Sequence, residues 1–446
     1  MIVDCVSKTQ FKKEGVIQMC AIVGGTRLTE KELTLLHVSR TRGRDYSNIF
    51  MKGQSWICNH RAIPTTEKSN PEHNQPFGTD YKIVHNGTIA NDLELGVGPG
   101  EIDSSVLSKV LDCTNIDTLH QTIQKVKGSY AIAIMKPNGT FYLLCNYQPI
   151  AYAYDRDEYG LKRLVAFTSY VDDLKYCQYS NIERLPPYSI LDTETWNTRD
   201  IPRTDYHNAL VICSGGLDST AVAAYACYVH KPENVTLIHY RYGCIAETKE
   251  IQCIKKIAEY LKCNLDFIDV NMSFMNKNSA LFKTENDIHK GIEGSEYAYE
   301  WVPARNLIML SLAVGYAEAN RFTNIYLGTN LEESGAYPDN CNQFIKDFDA
   351  CLYGAVQNGV KVKIHTPVGN LMKHEIVAFG NKYNAPFQYT WSCYKKGDKP
   401  CGQCGPCFMR RTAFRRNGLE DPLEYPKDMK FDEVEDIKKN IVSKEV

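Results

Sequence analysis

The chain has 446 residues, too many for one ordinary core, so two domains are the default expectation. Its composition is that of a soluble globular protein, 43% hydrophobic and 23% charged, and a formal net charge of −2 excludes a global basic field for nucleic acid. No apolar run approaches the roughly 20 residues of a membrane span, and residues 1–18 lack the apolar core of a signal peptide.

Short β-type runs at residues 20–25, 54–60, 81–87, 128–135, 140–146 and 163–169 are divided by Gly, Pro and Asn turns. Residues 101–111 carry a helical pattern. The region is expected to be a β-rich α+β domain. Gly96-Val97-Gly98-Pro99-Gly100 reads as a plain loop, because its proline and flanks do not suit a phosphate cradle. After the polar stretch 195–208 the character changes. Strand-like 209–213 leads to helix-like 219–230, strand-like 235–240, helix-like 246–261 and strand-like 265–270. That alternation predicts a doubly wound parallel sheet. The boundary is expected near 200–207. The tail from Lys427 has Phe431, Val434, Ile437 and Ile441 at helical spacing and reads as a docking helix.

The strand at 209–213 runs into Ser214-Gly215-Gly216-Leu217-Asp218-Ser219. Glycines let backbone approach phosphate, and N–H groups at a helix start attract an anion. Ser214 and Ser219 add hydroxyl donors, and Asp218 can hold Mg²⁺ or orient the loop. No G-x-x-x-x-G-K-[ST] pattern is present, which argues against γ-phosphate transfer. The loop suits cleavage of ATP between the α and β phosphates.

Seventeen cysteines are present, and most stand singly in apolar runs, as Cys213, Cys227 and Cys263 do. Buried thiols in a reducing compartment, hence the cytoplasm, are the expectation. Cys393, Cys401, Cys404 and Cys407 differ, with C-x7-C-x2-C-x2-C spacing. Four thiolates can close a tetrahedral Zn²⁺ site; an iron–sulfur cluster or a redox relay are the alternatives. Such a site would bring Arg410 and Arg411 near the cleft. His239 and His374 read as structural histidines.

Residues 209–417 resemble the 7-cyano-7-deazaguanine synthase family, QueC. The matching pieces are SGGLDS at 214–219, VPARN at 302–306, GTNLEESGAYPD at 328–339, TPV at 366–368, KHEIV at 373–377 and the cysteine-rich stretch 392–414. One departure is residues 242–247, YGCIAE, where the family is more polar. The resemblance implies ATP-driven adenylation of the carboxylate of 7-carboxy-7-deazaguanine, displacement of AMP by ammonia, and a second adenylation giving the nitrile. It implies that Arg305 and Asn306 lie in the cleft. The Asp339 carboxylate is a candidate reader of the guanine N–H edge, or it caps a turn.

Residues 19–195 resemble a class II glutamine amidotransferase with an N-terminal nucleophile (Ntn) fold. The pieces are MCAIVGG at 19–25, TRGRD at 41–45, Asn59-His60-Arg61, Asn74-Gln75-Pro76, Val84-His85-Asn86-Gly87 and Ile102-Asp103-Ser104. By family roles Cys20 attacks the glutamine amide, with its own α-amine as base. Asn86 and the Gly87 N–H form the oxyanion hole, Arg61 binds the glutamine carboxylate and Asp103 its amino group. Ala21 and Asn59 depart from the usual Gly and His. Cys20 must lie at an N-terminus to act this way. Lys13-Glu14-Gly15 can be encoded as AAGGAGG, so the expectation is that translation starts at Met19 and Met1–Gln18 is an annotation artefact; propeptide removal and a degenerate, non-catalytic domain are the other readings.

The expected whole is an α+β Ntn amidotransferase sandwich at 19–199, an α/β doubly wound PP-loop ATP pyrophosphatase domain at 207–420 and a tail at 421–446. ATP, Mg²⁺ and Zn²⁺ are the expected cofactors, and glutamine and a deazaguanine the partners. Self-association through the tail is one reading of that segment. An amidinotransferase acting on a cyano-deazaguanine in nucleic acid, an asparagine-synthetase-like enzyme and a binding protein that uses both sites for recognition only are the competing readings; the asparagine-synthetase-like reading leaves the cysteine spacing unexplained.

Overall fold

The computed structural model describes residues 20–63, 70–275, 279–284, 287–288 and 300–426. The readings made for Met1–Met19 and for the tail at 431–441 lie outside the described residues. The chain forms two compact units. One holds the described residues up to Thr204 together with Tyr353–Gly359; the other holds Asp205–Leu352 and the described residues from Val360 onward. No described helix is long and apolar enough to cross a membrane.

The first unit has eleven described strands: β1 (Ala21–Gly25), β2 (Tyr46–Lys52), β3 (Ser55–Arg61), β4 (Lys82–Ile89), β5 (Gly128–Met135), β6 (Phe141–Cys145), β7 (Ala151–Arg156), β8 (Lys162–Thr168), β9 (Ile182–Arg184), β10 (Ser189–Asp192) and β11 (Thr198–Asp200). They form two antiparallel sheets, ordered β2-β3-β1-β8-β7-β9 and β11-β10-β6-β5-β4. Side chains alternate across each strand, so each sheet feeds two cores. Ile22, Ile57, Val84, Ala133, Leu143 and Phe167 fill the space between the sheets. Val23, Trp56 and Val165 face outward onto α1 (Glu30–Ser39) and the later helix Val171–Tyr176. Ile83, Ile132 and Leu144 face outward on the other sheet, under Leu119 and Ile123 of the helix Ile116–Ile123. The result is a four-layer helix–sheet–sheet–helix sandwich.

The helix expected at 101–111 is replaced by a 3₁₀ turn, Asp103–Val106, and one α turn, Leu107–Val110. Local side chains compete for the backbone there. Ser105 Oγ donates to the Ile102 carbonyl at 2.7 Å and Ser108 Oγ to that of Ser105 at 2.9 Å. A second segment that sequence order would not place here is Tyr353–Gly359. Asn358 Oδ1 accepts from Asn146 Nδ2 and from the Tyr188 hydroxyl, both at 2.9 Å, and its amide donates to the Gly128 carbonyl.

His60 lies in this sandwich, 1% exposed, with Nδ1 2.8 Å from Ser47 Oγ. Burial, with a smaller push from Arg40, lowers its pKa to about 4. The unfolded chain therefore binds a proton below pH 6.5 that the folded unit refuses. Stability falls as pH drops from 6.5 toward 4, by about 3 kcal/mol from this residue alone. Denaturant titrations across that range are expected to show a shallower acid loss for His60→Gln; an unchanged slope would remove His60 as the cause.

The second unit has five parallel strands, β12 (Ala209–Ile212), β13 (Val235–Arg241), β14 (Asn264–Asp269), β15 (Asn324–Tyr326) and β16 (Lys363–His365), in the order β14-β13-β12-β15-β16. Val211 and Leu237 face a core shared with Ala221 and Val222 of the helix Leu217–His230 and Ile254 and Ile257 of the helix Glu247–Leu261. On the other face the Tyr240 hydroxyl donates to the Met309 carbonyl at 2.6 Å, within the helix Arg305–Ala319. Helices thus cover both faces. Central β12 is where the strand order reverses, so the loop that follows it opens at the switch point of the sheet.

Candidate functional site

The loop after β12 turns at Gly215, whose φ of +81° is in the left-handed region that suits glycine. Its carbonyl accepts from the Trp391 N–H at 2.8 Å. Ser214 Oγ accepts from the Gly216 N–H and lies 3.2 Å from Ser219 Oγ. The helix Leu217–His230 starts at Gly216 with no side-chain cap. Its first N–H groups therefore present a positive field to the cleft.

Asp218 follows the turn. Its Oδ2 accepts from Lys373 Nζ at 2.5 Å and Asn330 Nδ2 at 3.2 Å. Lys373 also donates to Glu333 Oε1 at 2.9 Å. Burial disfavours the Lys373 charge, but the two carboxylates outweigh it and hold its pKa above the usual lysine range. Burial likewise raises Glu333, yet Lys373 and Asn330 bring its net pKa below the usual value. Lys373, Glu333 and Asn330 were not singled out from sequence, although each sits in a segment quoted there, KHEIV or GTNLEES.

Four polar atoms lining this cleft are buried without a hydrogen-bond partner: Asp218 Oδ1, His239 Nε2, Thr329 Oγ1 and Trp391 Nε1. A folded chain rarely leaves so many in one place unless a ligand completes them. His239 is thus only half satisfied: its Nδ1 is 3.0 Å from the Cys213 carbonyl. That bond makes Nδ1 the donor, and burial keeps the ring neutral by lowering its pKa, so Nε2 is an acceptor facing the cleft.

Arg305 begins its helix after Ala304, which is held at φ +52°. Arg305 and Asn306 both line the cleft, as does Asp339. Burial disfavours the Arg305 charge, yet its pKa stays above the usual arginine range with the Glu333 carboxylate nearby, so the guanidinium stays charged. It has no salt bridge among the described residues. Asp339 Oδ2 accepts from the Asn306 N–H at 2.8 Å, while Asn306 Nδ2 donates to the Asp339 carbonyl at 3.1 Å. The Asp339 carboxylate thus caps the Arg305–Ala319 helix from a separate segment, a role not expected for it.

Cys393, Cys401, Cys404 and Cys407 bring their sulfurs within 4.8 Å of one another. Cys404 and Cys393 are 4.0 Å apart at Sγ. One ion about 2.3 Å from each sulfur sets them about 3.8 Å apart, whereas a multi-iron cluster holds them wider. Backbone N–H groups of Lys395 and Cys401 point at Cys393 Sγ, and that of Cys404 at Cys401 Sγ, at 3.3–3.4 Å, which favours thiolates. The four residues fit a single metal ion such as zinc. Arg410, in the following helix Gly405–Arg416, lines the cleft, but its guanidinium is spent on Asp421, Thr390 and the Phe387 carbonyl. It rivets the segment and is not available to a ligand. Arg411 lies 4.8 Å over the Tyr425 ring.

In the first unit Cys20 stands just before β1, half-buried, with Sγ 3.7 Å from the Ala62 carbonyl. Asn59 of β3 spans the two sheets: its amide nitrogen reaches the Ala21 carbonyl at 3.5 Å and the His85 carbonyl at 3.3 Å. The chain positions next to Cys20 and next to Asn86 are thereby joined by one side chain. Gln75 Oε1 accepts from the His85 N–H. Gly87 has φ +144°, and a Cβ there would lie 2.1 Å from the Ser129 carbonyl oxygen, so only glycine fits. Arg61, 4% exposed, ends β3. Asp103 accepts from the Ile89 and Ser104 N–H groups, both at 2.7 Å. Its carboxylate fixes the end of β4 in addition to any ligand role.

The family described as Queuosine biosynthesis protein QueC matches residues 208–418. The 7-cyano-7-deazaguanine synthase of Sulfolobus acidocaldarius is 42% identical over 437 residues, covering 93% of this chain and 91% of that protein. The chain belongs to the 7-cyano-7-deazaguanine synthase family. The 7-cyano-7-deazaguanine synthase 2 of Sulfurisphaera tokodaii is 43% identical over 390 residues, 83% of each chain. A shorter member, from Methanothrix thermoacetophila, is 37% identical over 222 residues, 49% of this chain but 98% of its own. These relatives include longer and shorter proteins, and this chain covers 91% and 83% of the two longer ones.

Proposed function

We propose that the second unit uses ATP to activate a carboxylate oxygen of 7-carboxy-7-deazaguanine, and that the first unit supplies the nitrogen from glutamine. The observation that carries this is the set of unpartnered polar atoms around the uncapped start of the Leu217–His230 helix. In the first half-reaction the substrate carboxylate attacks the α-phosphorus of ATP and pyrophosphate leaves. Ammonia then attacks the acyl carbon, AMP departs with the oxygen, and a proton is lost to give the amide. A second ATP adenylates the amide oxygen; loss of AMP and the nitrogen-bound protons leaves the nitrile. Hydroxide and oxide are poor leaving groups, and AMP is a good one.

The glycine turn and the helix start bind the leaving pyrophosphate, with Ser214 and Ser219 as hydroxyl donors. Lys373, shared between Asp218 and Glu333, holds the Asp218 carboxylate in place there. Asp218 Oδ1, which has no hydrogen-bond partner, would hold Mg²⁺, which would supply further neutralisation of the phosphates. Charged Arg305 meets the substrate carboxylate. In the first unit Cys20 is the nucleophile toward the glutamine amide; Asn86 and the Gly87 N–H stabilise its oxyanion, and Arg61 and Asp103 hold the amino acid. Asn59, bridging the strands that carry Cys20 and Asn86, supports this assignment of one shared site.

The test incubates protein beginning at Cys20 with ATP, Mg²⁺, amide-labelled glutamine and 7-carboxy-7-deazaguanine, with products read by mass spectrometry. Labelled nitrile or amide with AMP is expected. Cys20→Ala should lose glutamine-dependent product and keep product formation from added ammonium. Turnover of glutamine that never labels the base would remove the coupled reading. Labelled amidine formed on a cyano-deazaguanine in nucleic acid would move the function to amidinotransfer.

A further inference from the structure

The proposed reaction asks one cleft to hold two purine-like rings, the adenine of ATP and the deazaguanine, without confusing them. Four carboxylates line it: Asp218, Glu250, Glu333 and Asp339. Three are already engaged. Asp218 and Glu333 share Lys373, and Asp339 caps the Arg305–Ala319 helix. Glu250, in the first turn of the Glu247–Leu261 helix, is different. Among the described residues it has no salt bridge, and it accepts a weak bond from the Cys244 thiol at 3.7 Å. Its surroundings are Cys244, itself buried, Tyr242 and the field of Arg305.

We infer, resting on the function proposed above, that Glu250 is the specificity residue that reads the deazaguanine ring through its adjacent N1–H and 2-amino donors. A guanine-type edge offers two parallel N–H groups, which match the two oxygens of one carboxylate. An adenine ring offers a lone pair at N1 instead, which a carboxylate repels. The same group thus admits the substrate ring and turns away the nucleotide's base. Burial, only partly offset by Arg305, raises the Glu250 pKa to about 7, as expected for a carboxylate whose donors are missing. Cys244 offers the carboxylate only this weak thiol bond, which a ligand's N–H donors would outcompete.

The test measures pyrophosphate release by the full chain with 7-carboxy-7-deazaguanine and with its analogue lacking the 2-amino group. For the wild type the analogue's KM is expected to be tenfold to about 100-fold higher, the loss of a hydrogen bond to a charged acceptor. Glu250→Gln should raise KM for the normal base over the same range, leave KM for ATP within twofold, and lose little more with the analogue. Glu250→Asp keeps the charge and should keep the discrimination between the two bases at a higher KM. The inference is overturned if the analogue penalises Glu250→Gln as much as the wild type, or if the KM for ATP rises in parallel. If the wild type releases no pyrophosphate with either base, the proposed function has failed. Calorimetric binding of guanine and adenine to wild type and variant then decides separately: equal guanine affinity in both proteins sinks the role of Glu250.

Discussion

Cys404→Ser is expected to remove the metal and most of the ATP chemistry together. Cys404 is 1% exposed, and its sulfur is one of four within 4.8 Å. Structural zinc contributes folding free energy outright, because the ligand set does not exist in the unfolded chain. The cluster does not hold its segment alone: Arg410 with Asp421, and Phe387 against Phe414, also fasten it. The cost is therefore put at about 3–5 kcal/mol rather than total unfolding, in the range of losing a buried structural crosslink. For a unit of this size that lowers its melting temperature by about 10 °C. Trp391 lies two residues before Cys393 and donates to the Gly215 carbonyl, so loosening the segment releases the nucleotide loop. Metal content by plasma mass spectrometry should fall from one ion per chain to none, and ATP–pyrophosphate exchange should fall at least 100-fold. A metal-free variant that exchanges at the wild-type rate would dissociate the cluster from the cleft.

Lys373→Met is expected to cost both stability and catalysis. Lys373 and Asp218 have side chains only 11% and 16% exposed, and the lysine serves two carboxylates at once. Removing the shared cation leaves the buried Asp218 and the one-third exposed Glu333 carboxylates without their partner. Breaking a buried pair in this one-sided way costs about 3–5 kcal/mol. The carboxylates would escape by taking up protons, so the variant's deficit should shrink as pH is lowered from 7 to 5. The sign follows from their raised pKa values in the variant: the folded state then binds more protons than the unfolded one, and stability falls as pH rises. Asp218→Asn added to Lys373→Met should recover part of the stability without recovering activity. Denaturant melts of the single and double variants, with pyrophosphate exchange, check both parts. A single variant as stable as wild type at pH 7 would mean that the two anions are already solvated.

The legible parts of the fold were the segments where one physical requirement dominates. β1, β5, β6 and β12 are almost entirely buried, and their apolar runs announced them. β2 was invisible because it is an edge strand, mostly solvent-facing, held by backbone pairing to β3 that leaves no apolar signature. The glycine turn and the four cysteines were legible because local geometry alone demands those residue types. Lys373, Glu333 and Glu250 were not, since their meaning lies in partners brought together by the sheet. Glu250 in particular looks from sequence like an ordinary acidic residue in a helix's first turn. Asp339 was the more conspicuous carboxylate, in a turn beside a proline, and for that very reason it is occupied by the backbone.

The bond from Trp391 to Gly215 also bears on how the protein comes into being. A nascent chain emerging from the ribosome has its nucleotide-loop sequence early, before Tyr353–Gly359 is made to complete the first unit. The bond that orders that loop must wait until the cysteine-bearing segment has been made. Interrupted synthesis, or proteolysis ahead of Trp391, would therefore yield fragments with the loop sequence and without its anchor. Such fragments would carry the loop without the partner that holds its turn.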